Sequence, residues 1–284
     1  MSEERYAQKE KSGKVLIVRN QSYYRKDLCE NDVPDKCKRC HKFHIRKEEE
    51  DGDLDSEWII KEDVDIMELV HTFIALGFTD IHGGTNQFVE TNKSKKEMIE
   101  LLKEVAKADF KDDYCFICVV LSYGKDGVIT CVDDSRDRNS CPKTPTPSMM
   151  LPVSELQECL KGDKCQGLLM KPKIFLLQLE SVPGDYTDDT KGHAEQPTKL
   201  LKIPREADFL IYNCETDYAI KAWIKGLNNY VKDKEEPLEI QRLLTRMNNL
   251  VRKYYEGEGT GNKELPCVTS LLTKEVYLGK RIQQ

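Results

Sequence analysis

No run of apolar residues in this chain of 284 approaches the roughly 18 that a membrane-spanning helix requires, so no transmembrane segment is expected. The apolar core of a secretory signal is missing as well. The opening residues include Glu3, Glu4, Arg5, Lys9, Glu10 and Lys11 and offer no such stretch. There is no excess of basic charge either. The 44 Lys and Arg are outnumbered by 50 Asp and Glu, for a formal net charge of −6, whereas a general nucleic-acid binder needs a cationic face to displace counterions from phosphates. Gly83, Gly84 and Gly127 lack the Lys-Ser or Lys-Thr spacing of a phosphate-binding loop, so no nucleotide site is indicated. Cysteine is plentiful, at 11, but the number is odd and the spacing irregular. Cys115, Cys118, Cys159 and Cys267 fall inside strand or helix patterns, as reduced thiols do, which favours a cytoplasmic protein over a disulfide-built one.

What is present points to one globular body. Hydrophobic residues at 39% and charged residues at 33% are the proportions of a soluble protein, and a chain of this length can bury one large core. Residues 1–12 read as a short disordered segment. A β-branched apolar run at 14–20 suits a central strand. A long polar stretch to about 58 follows and includes the charge run 47–55, which reads as a solvated loop. Val64, Met67, Leu69, Val70, Phe73 and Leu76 show helical spacing, with Gly77 as the stop. Residues 78–81 resume as a strand, and 94–106 form a second helix capped by Asn92 or Ser94. The run 114–122 is the most strand-like in the chain. A turn at 123–127, a short strand at 128–132, a Pro-rich loop and a helix near 152–160 come next. Strand 173–177 precedes a loop at 181–204 rich in Gly, Pro, Asp and Thr. A strand at 207–212, helices at 218–231 and 238–254 and a strand at 266–272 complete the order. Strands alternating with helices predict an α/β fold, with a mostly parallel sheet covered by helices on both faces.

Few residue clusters carry chemistry on their own. Cys37, Cys40, His41 and His44 have Cys-x-x-Cys spacing with two nearby histidines, a weak zinc candidate. Zinc sites usually draw their second ligand pair from a dozen or more residues away, so a polar loop with incidental thiols is the plainer reading, and no metal or cofactor is expected. Cys115 and Cys118 share the spacing but sit on a strand, where residues three apart face opposite sides; they read as core thiols. His71 and His82 are isolated and His193 lies in the 181–204 loop.

Three segments together resemble the caspase family, from about residue 12 to 278. Gly162, Asp163, Lys164 and Cys165, followed by the run from Lys171 to Gln178, resemble the approach to the family's catalytic cysteine. Residues 203–210 resemble the opening of its small subunit, and 244–248 with 265–277 its last helix and dimer strand. The resemblance implies a three-layer sandwich around a six-stranded sheet. It assigns 13–180 to a large-subunit-like region, 181–204 to an intersubunit linker and 205–284 to a small-subunit-like region, all in one structural domain. It also implies dimerisation through the last strand and peptide cleavage after aspartate by a cysteine–histidine pair, with two arginines and a glutamine gripping the aspartate side chain.

Matched residue by residue, only Gln178 survives. The family's Gln-Ala-Cys reads Gln178, Leu179, Glu180 here, and its Ser-His-Gly turn about 50 residues upstream reads Ser122, Tyr123, Gly124. The large-subunit arginine would fall near Ile59. The Ser-Trp-Arg loop that carries the second arginine is missing, because 212–218 run straight into a helix. A carboxylate is a poor nucleophile toward an amide, and a phenol, protonated at neutral pH, is a poor general base. The expected function is therefore non-catalytic: a pseudo-protease that regulates an active caspase by heterodimerising, or pairs with itself, through Cys267, Val268, Thr269, Ser270, Leu271 and Leu272. Edge strands readily add a partner strand. Asp185, Asp188 and Asp189 lie where family members are cut, although an acidic loop is the plainer reading. The alternatives are an altered hydrolase, or a decoy for caspase substrates or inhibitors. Neither nucleic acid nor membrane is an expected partner.

Overall fold

The computed structural model describes residues 4–7, 9–20, 54–133, 145–180, 207–216, 218–258 and 265–279. Strand β1 (Lys11–Arg19) is followed by α1 (Leu54–Ala75), β2 (Phe78–Thr79), β3 (Val89–Thr91), α2 (Lys95–Lys107) and β4 (Asp113–Lys125). Then come β5 (Val128–Thr130), β6 (Met150–Pro152), α3 (Val153–Cys159), β7 (Lys173–Glu180) and β8 (Phe209–Cys214). Helix α4 (Ala219–Tyr230), β9 (Leu238–Glu239), α5 (Ile240–Glu258), β10 (Cys267–Ser270) and β11 (Tyr277–Leu278) complete the order.

The main sheet runs β10-β8-β7-β4-β1-β2, six strands, with β3 joined to β1 and the short β5 and β6 joined beyond β4. Along this path pairing is parallel from β8 to β2 and antiparallel where β10 meets β8, and the added β5 runs antiparallel to both β4 and β6. This is the α/β sandwich expected from the alternation of strands and helices. The reason lies in β4, whose residues are buried from Asp113 to Ser122, because a parallel strand with helices over both faces has no wet side. Alternation sends Cys115, Ile117 and Val119 into one core with α1, α4 and α5, and Phe116, Cys118 and Val120 into another with α2 and α3. Cys115 and Cys118 thus face opposite layers, as their spacing on a strand demands.

Helix α2 starts at a capping box. Ser94, not Asn92, is the cap: its Oγ accepts the Glu97 N–H at 3.3 Å while Glu97 Oε2 accepts the Ser94 N–H at 2.8 Å. Helix α1 begins at Leu54, earlier than the apolar spacing from Val64 suggested. The opening residues also differ from expectation. Lys11 already belongs to β1, and Tyr6 is only 6% exposed. What holds this segment is distant chain: Arg5 bridges Glu275, and the Tyr6 hydroxyl donates to Asp208. No helix among the described residues is long and apolar enough to cross a membrane.

A candidate site at the carboxyl edge of the sheet

Parallel strands end together, and open α/β sheets place their chemistry beyond the carboxyl ends. Register sets Leu121 beside Gln178, Ser122 beside Leu179 and Tyr123 beside Glu180. The two positions that the resemblance assigns to the catalytic pair are therefore neighbours on adjacent strands. Leu121 belongs to the core under α1, α4 and α5, and Leu179 to the opposite core. By strand alternation Tyr123, Gln178 and Glu180 all face the α4 side.

Helix α4 explains what Gln178 does there. Its N-cap, Tyr218, makes no side-chain capping bond, which leaves the first-turn N–H groups in need of acceptors. Gln178, 5% exposed, accepts the Ile220 N–H on its Oε1 at 2.9 Å. Its Nε2 then donates to Glu180 Oε1 at 3.0 Å. Both ends of the amide are engaged, so a carboxylate at position 180 fixes the orientation in which Gln178 caps the helix.

The approach from β8 is short. β8 ends at Cys214 and α4 begins at Ala219, with the Tyr218 N–H bonded to Thr216 Oγ1 at 3.3 Å. On the β4 side, Asp126 (φ 51°) and Gly127 (φ 72°) make a tight hairpin turn. Glu215 ties the two together: its Oε1 accepts the Asp126 N–H at 3.0 Å and Asn213 Nδ2 at 3.4 Å. Ser122 Oγ donates to the Thr130 carbonyl at 2.9 Å, and a Cβ on Gly124 would come within 2.3 Å of the Val128 carbonyl oxygen. Ser122 and Gly124 thus have structural duties of their own, independent of what lies between them.

Two residues of this rim escaped the sequence reading. Arg19 closes β1, 6% exposed, and pairs in register with Leu121, which puts it on the same face as Gln178. The available signal was a cation ending an apolar strand run. Glu215 gave none, because its role depends on a hairpin that folds beside it. Cys214 is wholly buried, its Sγ 3.4 Å from Thr216 Oγ1. Elsewhere burial pushes the Cys118 and Cys131 thiols up to about 12 and raises those of Cys159 and Cys165, so these four are protonated and inert at neutral pH.

Ile59 falls within α1, with its side chain outside the described residues, as are Cys37, Cys40, His41, His44, Asp185, Asp188 and Asp189. Among the described residues no three His, Cys, Asp or Glu side chains gather in a metal-holding group. At the far edge of the sheet, Cys267, Val268, Thr269 and Ser270 are exposed, and β10 bonds only to β8 among the described strands. Leu271 and Leu272 are half-buried and pack against opposite cores.

A model of the caspase domain matches residues 59–277. The chain belongs to the caspase family. It is 30% identical over 230 residues to caspase-3 of Mesocricetus auratus and 31% identical over 230 residues to caspase-3 of Bos taurus, covering 76% of this chain and 75% of each relative. Caspase-7 of Gallus gallus is 30% identical over 235 residues, 76% of this chain and 69% of that protein. Tyr123 and Glu180, the positions that the resemblance assigns to the catalytic pair, lie side by side at the carboxyl edge of the sheet.

Proposed function

We propose that this chain is a non-catalytic caspase homologue that acts by binding, pairing through β10 with an active caspase or with a second copy of itself, in the cytoplasm and in the regulation of cell death. The observation that carries this reading is the use made of Gln178. The residue that would grip a substrate aspartate is spent on the Ile220 N–H and on Glu180. A carboxylate at 180 is a poor nucleophile toward an amide, Tyr123 is a poor general base, and β8 passes within a few residues into α4, leaving no room for a substrate-gripping loop. The exposed β10 pairs on one side only among the described strands, the feature that invites an added strand. A partner bound there shifts its own active-site loops only through differential contacts with their ordered and disordered states.

The test is co-expression with caspases, pull-down and assay of the partner. A complex that changes partner activity and is lost on Val268→Asp supports the reading. Turnover of aspartyl fluorogenic peptides by the purified chain, abolished by Glu180→Ala, overturns it.

A further inference from the structure

We propose that residues 4–6 form a clasp that holds the edge strand β10 in register with β8, so that displacing this segment loosens the strand offered to a partner. β10 is only four residues long and exposed throughout, and a strand that short needs support beyond its own ladder. The ladder continues past it: Leu271 N–H donates to the Phe209 carbonyl at 2.7 Å, and Asp208 N–H to the Leu271 carbonyl at 2.8 Å. Immediately beyond, Thr273 is gripped twice. Its Oγ1 donates to Asp208 Oδ1 at 2.6 Å and its N–H to the Tyr6 hydroxyl at 3.1 Å. The Tyr6 hydroxyl in turn donates to the same Asp208 oxygen at 2.5 Å.

Asp208 is the junction. It sits 7% exposed in the left-handed region at φ 73°, a conformation that aspartate tolerates better than most residues. Two hydroxyl donors converge on one of its oxygens, and one of them comes from outside the sheet. Burial, reinforced by the bond to Asp208, pushes the Tyr6 hydroxyl up to about 12, so it stays protonated and donating through the neutral range. Around this centre the Tyr6 N–H donates to the Glu275 carbonyl at 3.2 Å and the Glu275 N–H to the Glu4 carbonyl at 2.7 Å. The Arg5 guanidinium lies 4.2 Å from the Tyr277 ring centre. Residues 4–6 contribute two backbone bonds, the bonds of one hydroxyl, one buried ring and the exposed Arg5 pair with Glu275, far fewer than the ladder of the sheet, which makes the clasp easier to open than the sheet it secures.

Hydrogen exchange on the intact chain tests this. Tyr6→Phe keeps the ring in place but removes the hydroxyl's three bonds, to Asp208 and to the Thr273 hydroxyl and N–H. Amides of Leu271 and Thr273 should then exchange about tenfold faster, the scale of one hydrogen bond to a charged group, while those of 116–120 in β4 stay unchanged. Thr273→Val, which cuts the same cluster from the other side, should reproduce the pattern. Unchanged exchange at both amides in both variants overturns the clasp, and so does an equal acceleration in β4. The consequence for partner binding rests on the function proposed above. Exchange is read on the chain alone, so a chain with a working clasp that binds no caspase refutes only that function.

Discussion

Gln178 Nε2 donates to Glu180 Oε1 at 3.0 Å, and the other end of the same amide holds the Ile220 N–H at 2.9 Å. Strand β7 is thereby fastened to the start of α4, a helix whose own cap makes no side-chain bond.

Removing the amide should therefore weaken the fold more than removing the acid. Gln178→Ala leaves a buried helix N–H without its acceptor and should cost about 2 kcal/mol. Glu180→Gln can still accept from Gln178 and should cost about 1 kcal/mol or less. Urea denaturation of the two variants measures the order; equal losses would remove the capping argument.

Placing a cysteine and a histidine at the positions that the resemblance assigns to the catalytic pair should not produce cleavage. Glu180→Cys with Tyr123→His places both groups on neighbouring strands in correct register. Gln178 is still committed to Ile220, and β8 still runs almost directly into α4. Aspartyl-peptide turnover by the double variant should stay at background, read as fluorescence release over hours.

A charge on β10 should separate folding from association. Val268 is 38% exposed, so Val268→Asp should change the stability of the single chain by no more than about 0.5 kcal/mol. Any complex built by strand addition should be lost, because the new carboxylate would be desolvated between paired strands. Denaturation and size-exclusion runs on the same sample show whether the two effects part.

Asp80 gives the fold a defined acid limb. It is 2% exposed. Burial alone would raise its pKa, but N–H donations from Gly84, Gln87, His82 and Asn86 together outweigh burial and hold it below the ordinary value of 3.8. A carboxyl depressed in the folded state adds stability that is present above its unfolded pKa and lost as pH falls through the folded one. The stability gap between the wild type and Asp80→Asn should thus be flat from neutral pH down to about 5 and shrink below about 4. Chemical denaturation at a series of pH values checks the sign; a gap that widens on acidification contradicts it.

Much of the fold was legible because a parallel strand covered on both faces leaves a continuous apolar signature. β4 and β7 carry it, and helix α2 ahead of β4 shows its spacing and its cap. The site was legible only as identities. That Gln178, Glu180 and Tyr123 belong together follows from motif order, but what each touches does not. Gln178 meets an N–H 42 positions away, and Glu215 meets a turn 89 positions before it. Tyr6 is a lone aromatic in a charged segment, without periodicity to mark it as buried, and its partners stand 202 and 267 positions along the chain.

The sequence by itself determined the alternation of strands and helices, the side each strand residue faces and the identities of Tyr123, Gln178 and Glu180, since these depend on local periodicity and on which residue occupies a position. Only the tertiary structure decided that the surviving glutamine caps α4, that Arg19 and Glu215 join the same rim and that Tyr6 secures the end of the edge strand. Each of these is a hydrogen bond or a packing position between residues far apart in the chain. Such contacts exist only once the sheet has set its register and the helices have closed over it.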